Sequence, residues 1–118
     1  MSRPPLILRE ARASDRTVVI AVTGDLVLTN SNELEAAIES AFAAGRIRVV
    51  LDLAGITHVD TPGLALMVRL QERCEARGGG LAVAALPRSF DEIVDQLRLA
   101  RRLRLVGSVE AALEPPER

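Results

Sequence analysis

Five short segments of the chain are apolar in alternation or in unbroken runs, and between them apolar residues recur every three or four positions. Leu6 to Ala11 and Thr17 to Thr23 read as strands, the second rich in β-branched residues. Ala13-Ser14-Asp15-Arg16 between them has turn composition and predicts a hairpin, and Gly24-Asp25 is expected to end its second strand. Leu34, Ala37, Ile38, Ala41 and Phe42 mark one face of a helix that closes at Ala44-Gly45. Asn30 and Glu33 have capping-box spacing at its start. Arg46 to Leu53 is nearly all apolar in its interior, as a central strand covered on both faces requires.

A second helix is expected from Pro62 to Arg77, ended by Gly78-Gly79-Gly80. Leu81 to Leu86 reads as the next strand. Ser89 and Glu92 then have capping-box spacing before a third helix whose inner face is Phe90, Ile93, Val94 and Leu97. Leu103 to Val106 is a short last strand, and Ser108 caps a brief helix to Leu113. The order β-β-α-β-α-β-α-β-α predicts an α/β fold. It specifies one domain with a mixed, mostly parallel sheet of four to five strands and about four helices. Both ends, Arg3-Pro4-Pro5 and Glu114 to Arg118, have the proline and charge of frayed termini.

Composition narrows the function classes. With 48% hydrophobic residues in 118 but only 2% aromatic, the core must be aliphatic. Stacking platforms for single-stranded nucleic acid are lacking. A net charge of −1 provides no global attraction to nucleic acid or to an anionic membrane. Arg98, Arg101, Arg102 and Arg104 cluster locally, which suits a solvated C-terminal helix end. The single cysteine, Cys74, lies in an apolar helical pattern and reads as a buried thiol. With a single histidine, His58, no multi-histidine metal site can form. No P-loop is present, and no nucleophile is placed with an oriented base, so neither catalysis nor a cofactor is expected. No signal peptide or membrane span is apparent, and a cytoplasmic location is the expectation.

The segment carrying candidate chemistry is His58-Val59-Asp60-Thr61-Pro62-Gly63-Leu64, at the start of the second helix. Thr61 is a preferred N-cap residue, and Pro62 then falls at the first helical position. On local physics alone Thr61 does nothing but cap, Gly63 allows close backbone approach, and Asp60 complements the helix dipole.

The run Leu51 to Leu64 resembles the signature of bacterial anti-sigma-factor antagonists, the STAS domains, in which a strand and short loop lead to Asp-Ser-(Ser/Thr/Ala)-Gly-Leu at a helix start. Val22-Thr23-Gly24-Asp25-Leu26 resembles the family's TGEL segment, and Gly107 to Leu113 its ending. The resemblance covers about residues 6–113, so residues 1–118 are expected to be a single STAS domain. It implies that Thr61 accepts phosphate from an anti-sigma factor with an ATP-dependent Ser/Thr kinase fold. It also implies that a phosphatase resets the switch, with neither direct nucleic-acid contact nor membrane insertion, and with at most weak homodimerisation. The expected partner surface is Asp25, Leu28, Thr29, Asn30, His58, Asp60, Thr61, Pro62 and Gly63, with Arg69, Glu72 and Arg73 extending it.

Three positions depart from the family pattern: Thr61 replaces the commoner serine, Pro62 follows it, and Val27 stands where many members are acidic. The run Asp60 to Leu66 also resembles the Asp-Thr-Gly-Gly-Leu-Ala-Leu motif of STAS subunits in bacterial lipid-transport ABC systems. In that branch Thr61 would contact the ATPase subunit without phosphate.

Overall fold

A computed structural model describes residues 4–114. The expected frayed positions Arg3 and Pro115 to Arg118 lie outside the described residues. The elements are β1 (Ile7–Arg12), β2 (Thr17–Leu26), α1 (Ser31–Ala43), β3 (Arg48–Asp52), β4 (Ile56–Val59), α2 (Thr61–Ala76), β5 (Gly80–Ala84), α3 (Asp91–Gln96), β6 (Arg104–Val106) and α4 (Val109–Leu113). The sheet runs in the order β1-β2-β3-β5-β6, with β4 paired to β2 off that path. Only β1 is antiparallel to its neighbour. The α/β fold and its mixed, mostly parallel sheet are therefore as expected from the sequence. The hairpin turn is held by the Ser14 hydroxyl, which accepts from the N–H groups of Arg16 and Thr17.

Alternation along the strands divides the sheet into two faces. Val18, Ile20, Val22, Val49, Leu51, Leu81 and Val83 face one layer of helices. There they meet Leu34, Ile38 and Phe42 of α1 and Leu66, Met67, Leu70 and Cys74 of α2. The opposite face carries smaller residues, Val50, Ala82 and Ala84, against Ala112 of α4. The α1 and α2 helices are tied on their outer surface by ion pairs, Arg69 with Glu35 and Arg73 with Glu39. These pairs occupy two of the three charged α2 positions expected to extend the partner surface.

Two expected strand boundaries move. Gly24-Asp25 does not end β2, which continues to Leu26. Gly24 has φ +86, and the pairing register shifts between it and Asp25. That bulge lets β2 leave β3 and pair with β4. Ile56–Val59, to which the sequence assigned no element, forms β4, and its burial runs buried-exposed-exposed-buried. Lacking strict alternation, it carries no period-2 signal.

Two expected caps also fail to form. The third helix is preceded by a 3-10 turn over Arg88–Phe90 that follows Pro87, so Ser89 is already inside a turn and caps nothing. Leu97, expected on the inner face, is 43% exposed. The Asn30 side chain makes no cap bond to α1. At the last helix Ser108 caps as expected, accepting from the Ala111 N–H at 3.1 Å. Arg104 is not free in solvent but donates to the carbonyl oxygens of Ala111, Ala112 and Glu114 at the end of α4.

Cys74 is fully buried, as expected, and burial pushes its thiol from 9.0 up to about 11. Above pH 9 the unfolded chain therefore loses this proton before the folded one. The thiol's contribution to stability is intact below pH 9 and is lost as pH rises toward about 11. Native Cys74 is expected to react with iodoacetamide at least about a hundredfold more slowly than in urea, read by intact mass, because neither access nor thiolate is available.

Candidate functional site

The C-terminal ends of β2 and β4 lie side by side, and the chain leaves one toward α1 and the other directly into α2. Asp60 organises this edge. It is extended (φ −84, ψ 173), and its Oδ1 accepts from the Gly63 N–H at 2.8 Å, making it the N-cap of α2. The expectation that Thr61 caps is corrected. Thr61 is the first helical residue and Pro62 the second, because a carboxylate at position 60 reaches the helix N–H groups one residue earlier.

The other Asp60 oxygen, Oδ2, accepts from the N–H of Leu28 at 3.0 Å. Its backbone N–H donates to Leu26 O at 3.3 Å. One residue thus fixes both the helix start and the loop after β2. Asn30 holds that loop from the other side: its Oδ1 accepts from Val27 N at 3.0 Å and its Nδ2 donates to Asp25 O at 2.9 Å. This work on the loop is why its side chain does not cap α1.

Close approach completes the arrangement. Gly63 is buried, and a Cβ there would stand 2.9 Å from Leu26 O and 2.8 Å from Val59 Cγ1. Only glycine lets the first turn of α2 seat against the ends of β2 and β4. Asp25 is 5% exposed, and its Oδ1 accepts from the Thr57 hydroxyl at 2.5 Å. It supports the edge from inside and is not part of its surface. His58 is exposed on β4, opposite Asp25 in register, and not in a loop.

The expected site residues therefore divide. Leu28, Thr29, His58, Thr61 and Pro62 are exposed at one edge. Asp60 and Asn30 are half-buried struts, while Asp25 and Gly63 are interior. Leu28 is 66% exposed, the most of any large apolar side chain described. Among the described residues nothing hydrogen-bonds the Thr61 hydroxyl. The reach of Asp60 to Leu28 spans 32 residues of sequence and left no local signal. Among the described residues no cluster of His, Cys, Asp and Glu could hold a metal, and no helix is long and apolar enough to cross a membrane.

A family model described as "Mlab, STAS domain" matches residues 10–107. The chain belongs to the STAS domain family. Its fold is also that of solved STAS proteins of low identity. An anti-sigma factor antagonist from Mycobacterium paratuberculosis superposes with a TM-score of 0.79 at 20% identity, over 92% of each chain. The anti-sigma factor antagonist SpoIIAA in its unphosphorylated form gives 0.76 at 18%, over 91% of this chain and 93% of that one. The Bacillus cell fate determinant SpoIIAA in its phosphorylated form gives 0.70 at 18%, over 91% and 96%. In this STAS domain the family's helix start is thus built by Asp60, and the residue after it is left unoccupied.

Removing the Thr61 hydroxyl should accordingly cost the fold nothing. Thr61→Ala is expected to change stability by less than about 0.5 kcal/mol in urea denaturation, since an exposed first-turn position favours alanine slightly. A loss of about 1 kcal/mol, the usual cost of deleting a cap, would return the capping role to Thr61.

Proposed function

We propose that this STAS domain is an anti-sigma-factor antagonist. It binds an anti-sigma factor with an ATP-dependent Ser/Thr kinase fold at the edge formed by Leu28, Thr29, His58, Thr61 and Pro62. Asp25, Asn30, Asp60 and Gly63 hold that edge in shape. Thr61 is the phosphoacceptor, a phosphatase resets it, the domain itself catalyses nothing, and the setting is cytoplasmic. The observation that carries this reading is the unbonded, exposed Thr61 hydroxyl on a rigid helix start, beside a carboxylate whose two oxygens are already committed.

The chemistry of the step is simple. The Thr61 oxygen attacks the γ-phosphorus of ATP, the bond to ADP breaks, and the hydroxyl proton passes to a base on the kinase. The product carries nearly two negative charges. The helix dipole favours an anion here, but the first turn has little N–H capacity left to bind one. Pro62 has no N–H, that of Gly63 is held by Asp60 Oδ1, and that of Leu64 by Asp60 O. The phosphate therefore stands toward solvent beside the Asp60 carboxylate, where a partner would have to cover both. Desolvating an unpaired dianion in an interface is costly enough to separate the proteins.

The test incubates the full chain and Thr61→Ala with the kinase-fold anti-sigma factor and Mg-ATP, and follows intact mass and complex formation. One phosphate on the wild type only, with release of the partner, is the expected result. Stable binding with no added phosphate would end the phosphoswitch reading.

A second reading is favoured by the run Asp60-Thr61-Pro62-Gly63-Leu64-Ala65-Leu66, which lies inside the matched residues 10–107. In that reading the same edge contacts the ATPase subunit of a lipid-transport ABC system, and Thr61 is a contact only. A parallel incubation with the ABC ATPase subunit in place of the anti-sigma factor tests it: a stable complex with that subunit, with the mass unchanged by Mg-ATP, supports this second reading.

A further inference from the structure

The sheet ends on two edges of different kinds. β6 is three residues long, whereas β1 runs for six residues with its register to β2 unbroken by any bulge. Hydrogen bonding fixes which groups of β1 face outward. Ala13, one step beyond the Arg12–Val18 pair, donates its N–H to Thr17 O, so by alternation the odd-numbered residues of β1 bond to β2. On the far side of β2 the Arg48 N–H donates to Arg16 O, so the even-numbered groups there serve β3, as the same alternation requires. Leu8, Glu10 and Arg12 therefore present their N–H and C=O groups to solvent, a template for another strand.

The usual defences of an open edge are absent. Ile7–Arg12 holds no proline, no lysine and no bulge. It carries charges of both signs instead. Glu10 and Arg12 are exposed, and neither has an ion-pair partner among the described residues. They share one face of β1, opposite Ile20 and Val18, while Arg9 and Ala11 lie on the other.

Identical edge strands close on each other antiparallel, across a two-fold axis normal to the sheet that keeps both faces in register. The residue at the axis then decides the charge pattern. Centred on Arg9, Glu10 or Arg12, the pairing sets that charge against its own copy. Centred on Ile7 or Leu8, it brings no opposite charges together. Centred on Ala11, it sets no charge against its copy and places Glu10 of each chain opposite Arg12 of the other. Both are outward-bonding residues, so the same pairs also exchange backbone N–H and C=O. Ala11 meets its copy as the close, non-hydrogen-bonded pair, with about 4.5 Å between Cα atoms, which two methyl side chains accommodate.

We infer that β1 is a self-association edge, through which two copies of this chain pair antiparallel about Ala11 and join their sheets into one. The two β2 strands then run in opposite directions, so the two Thr61 turns lie at opposite ends of the joined sheet and both stay open. So short a contact makes a reversible dimer that forms as concentration rises.

Sedimentation equilibrium of the full chain over a concentration series tests this. Expected is a monomer–dimer equilibrium whose dissociation constant rises about tenfold or more in Glu10→Arg and in Arg12→Glu, each of which sets like charges opposite each other. In Glu10→Arg/Arg12→Glu the opposite charges are restored, and the constant should return to within about threefold of wild type. Arg9→Glu, on the other face opposite Ala13, should change it by less than about threefold. All these side chains are exposed, and circular dichroism is expected to show the fold intact in every variant. The register is read by mild oxidation: Ala11→Cys should form a disulfide to its own copy, seen as a doubled intact mass, and Arg9→Cys should not. Cys74 is buried and takes no part.

A chain that stays monomeric at every concentration overturns the inference. So does a dimer that neither charge reversal weakens, or one that the double exchange does not restore, since the contact then lies elsewhere. A disulfide at Arg9→Cys with none at Ala11→Cys overturns it by centring the pairing on Arg9. Oxidation repeated in lysate that joins Ala11→Cys to a different protein and never to a second copy overturns it in favour of a foreign strand.

Discussion

Asp60→Ala is expected to lower stability by about 2–3 kcal/mol, the sum of a lost N-cap and a lost charge-accepted hydrogen bond to the loop. For a chain of this size that is a fall of about 10 °C in melting temperature. The effect should not stop at stability. The Leu28 N–H would lose the carboxylate that holds it, and the loop from Val27 to Asn30 would keep the Asn30 clamp and the Ser31 hydroxyl bond to Leu28 O but no tie to α2. Partner affinity should therefore fall about tenfold or more even at temperatures where the variant is fully folded, because the loop must then be ordered on binding. Asp60→Asn separates the two roles. An amide oxygen can accept from Gly63, but the amide nitrogen opposes the Leu28 N–H, so most of the cap should survive while the loop bond is lost. Melting curves and titration calorimetry on both variants check this. Equal stability of Asp60→Ala and wild type would mean that the helix start is held by Pro62 and packing alone.

The contrast with Thr61→Ala shows what could be read from sequence at this site and what could not. Asp, Thr and Pro in succession announce a helix start, and one was correctly expected there. Which of the two polar residues caps depends on the backbone torsions at position 60, and those follow from how β4 delivers the chain. β4 itself was illegible, because four residues without alternation resemble loop, and its partner is the far end of β2 beyond a glycine bulge. Most legible in advance were β2 and the long helices α1 and α2, whose burial is periodic, and β3 and β5, whose burial is nearly unbroken. Asp60 reaching Leu28 and Leu97 left exposed depend on tertiary placement, which local propensity does not record, while Asn30 escaped because its side chain turns back to the preceding loop in place of the helix it was expected to cap.

Long-range placement also explains why an apolar side chain can be so exposed at this edge. Leu28 has neither a core to join nor freedom to withdraw. Its N–H is bound to Asp60 and its carbonyl oxygen accepts from the Ser31 hydroxyl at 3.2 Å. With the backbone held at both ends, the side chain is presented beside the Thr61 turn. Holding a large apolar group in water costs free energy that a monomer recovers nowhere. A protein partner recovers it by covering the group.

Leu28→Asp should consequently leave the isolated domain as stable as the wild type, within about 0.5 kcal/mol, since the side chain buries little and the backbone bonds remain. Against the partner the same change should cost about a hundredfold in affinity. It removes the apolar anchor and places a second carboxylate near Asp60, where phosphate on Thr61 would put its own charge. The variant would thus imitate the surface that phosphate on Thr61 is proposed to create, without touching Thr61. If binding is lost in Leu28→Asp and in phosphorylated wild type but kept in Leu28→Ala to within about tenfold, added negative charge is what separates the complex. If Leu28→Ala loses as much as Leu28→Asp, apolar burial carries the contact and phosphate acts by displacing it. Unchanged affinity in both variants would put the interface elsewhere on the domain.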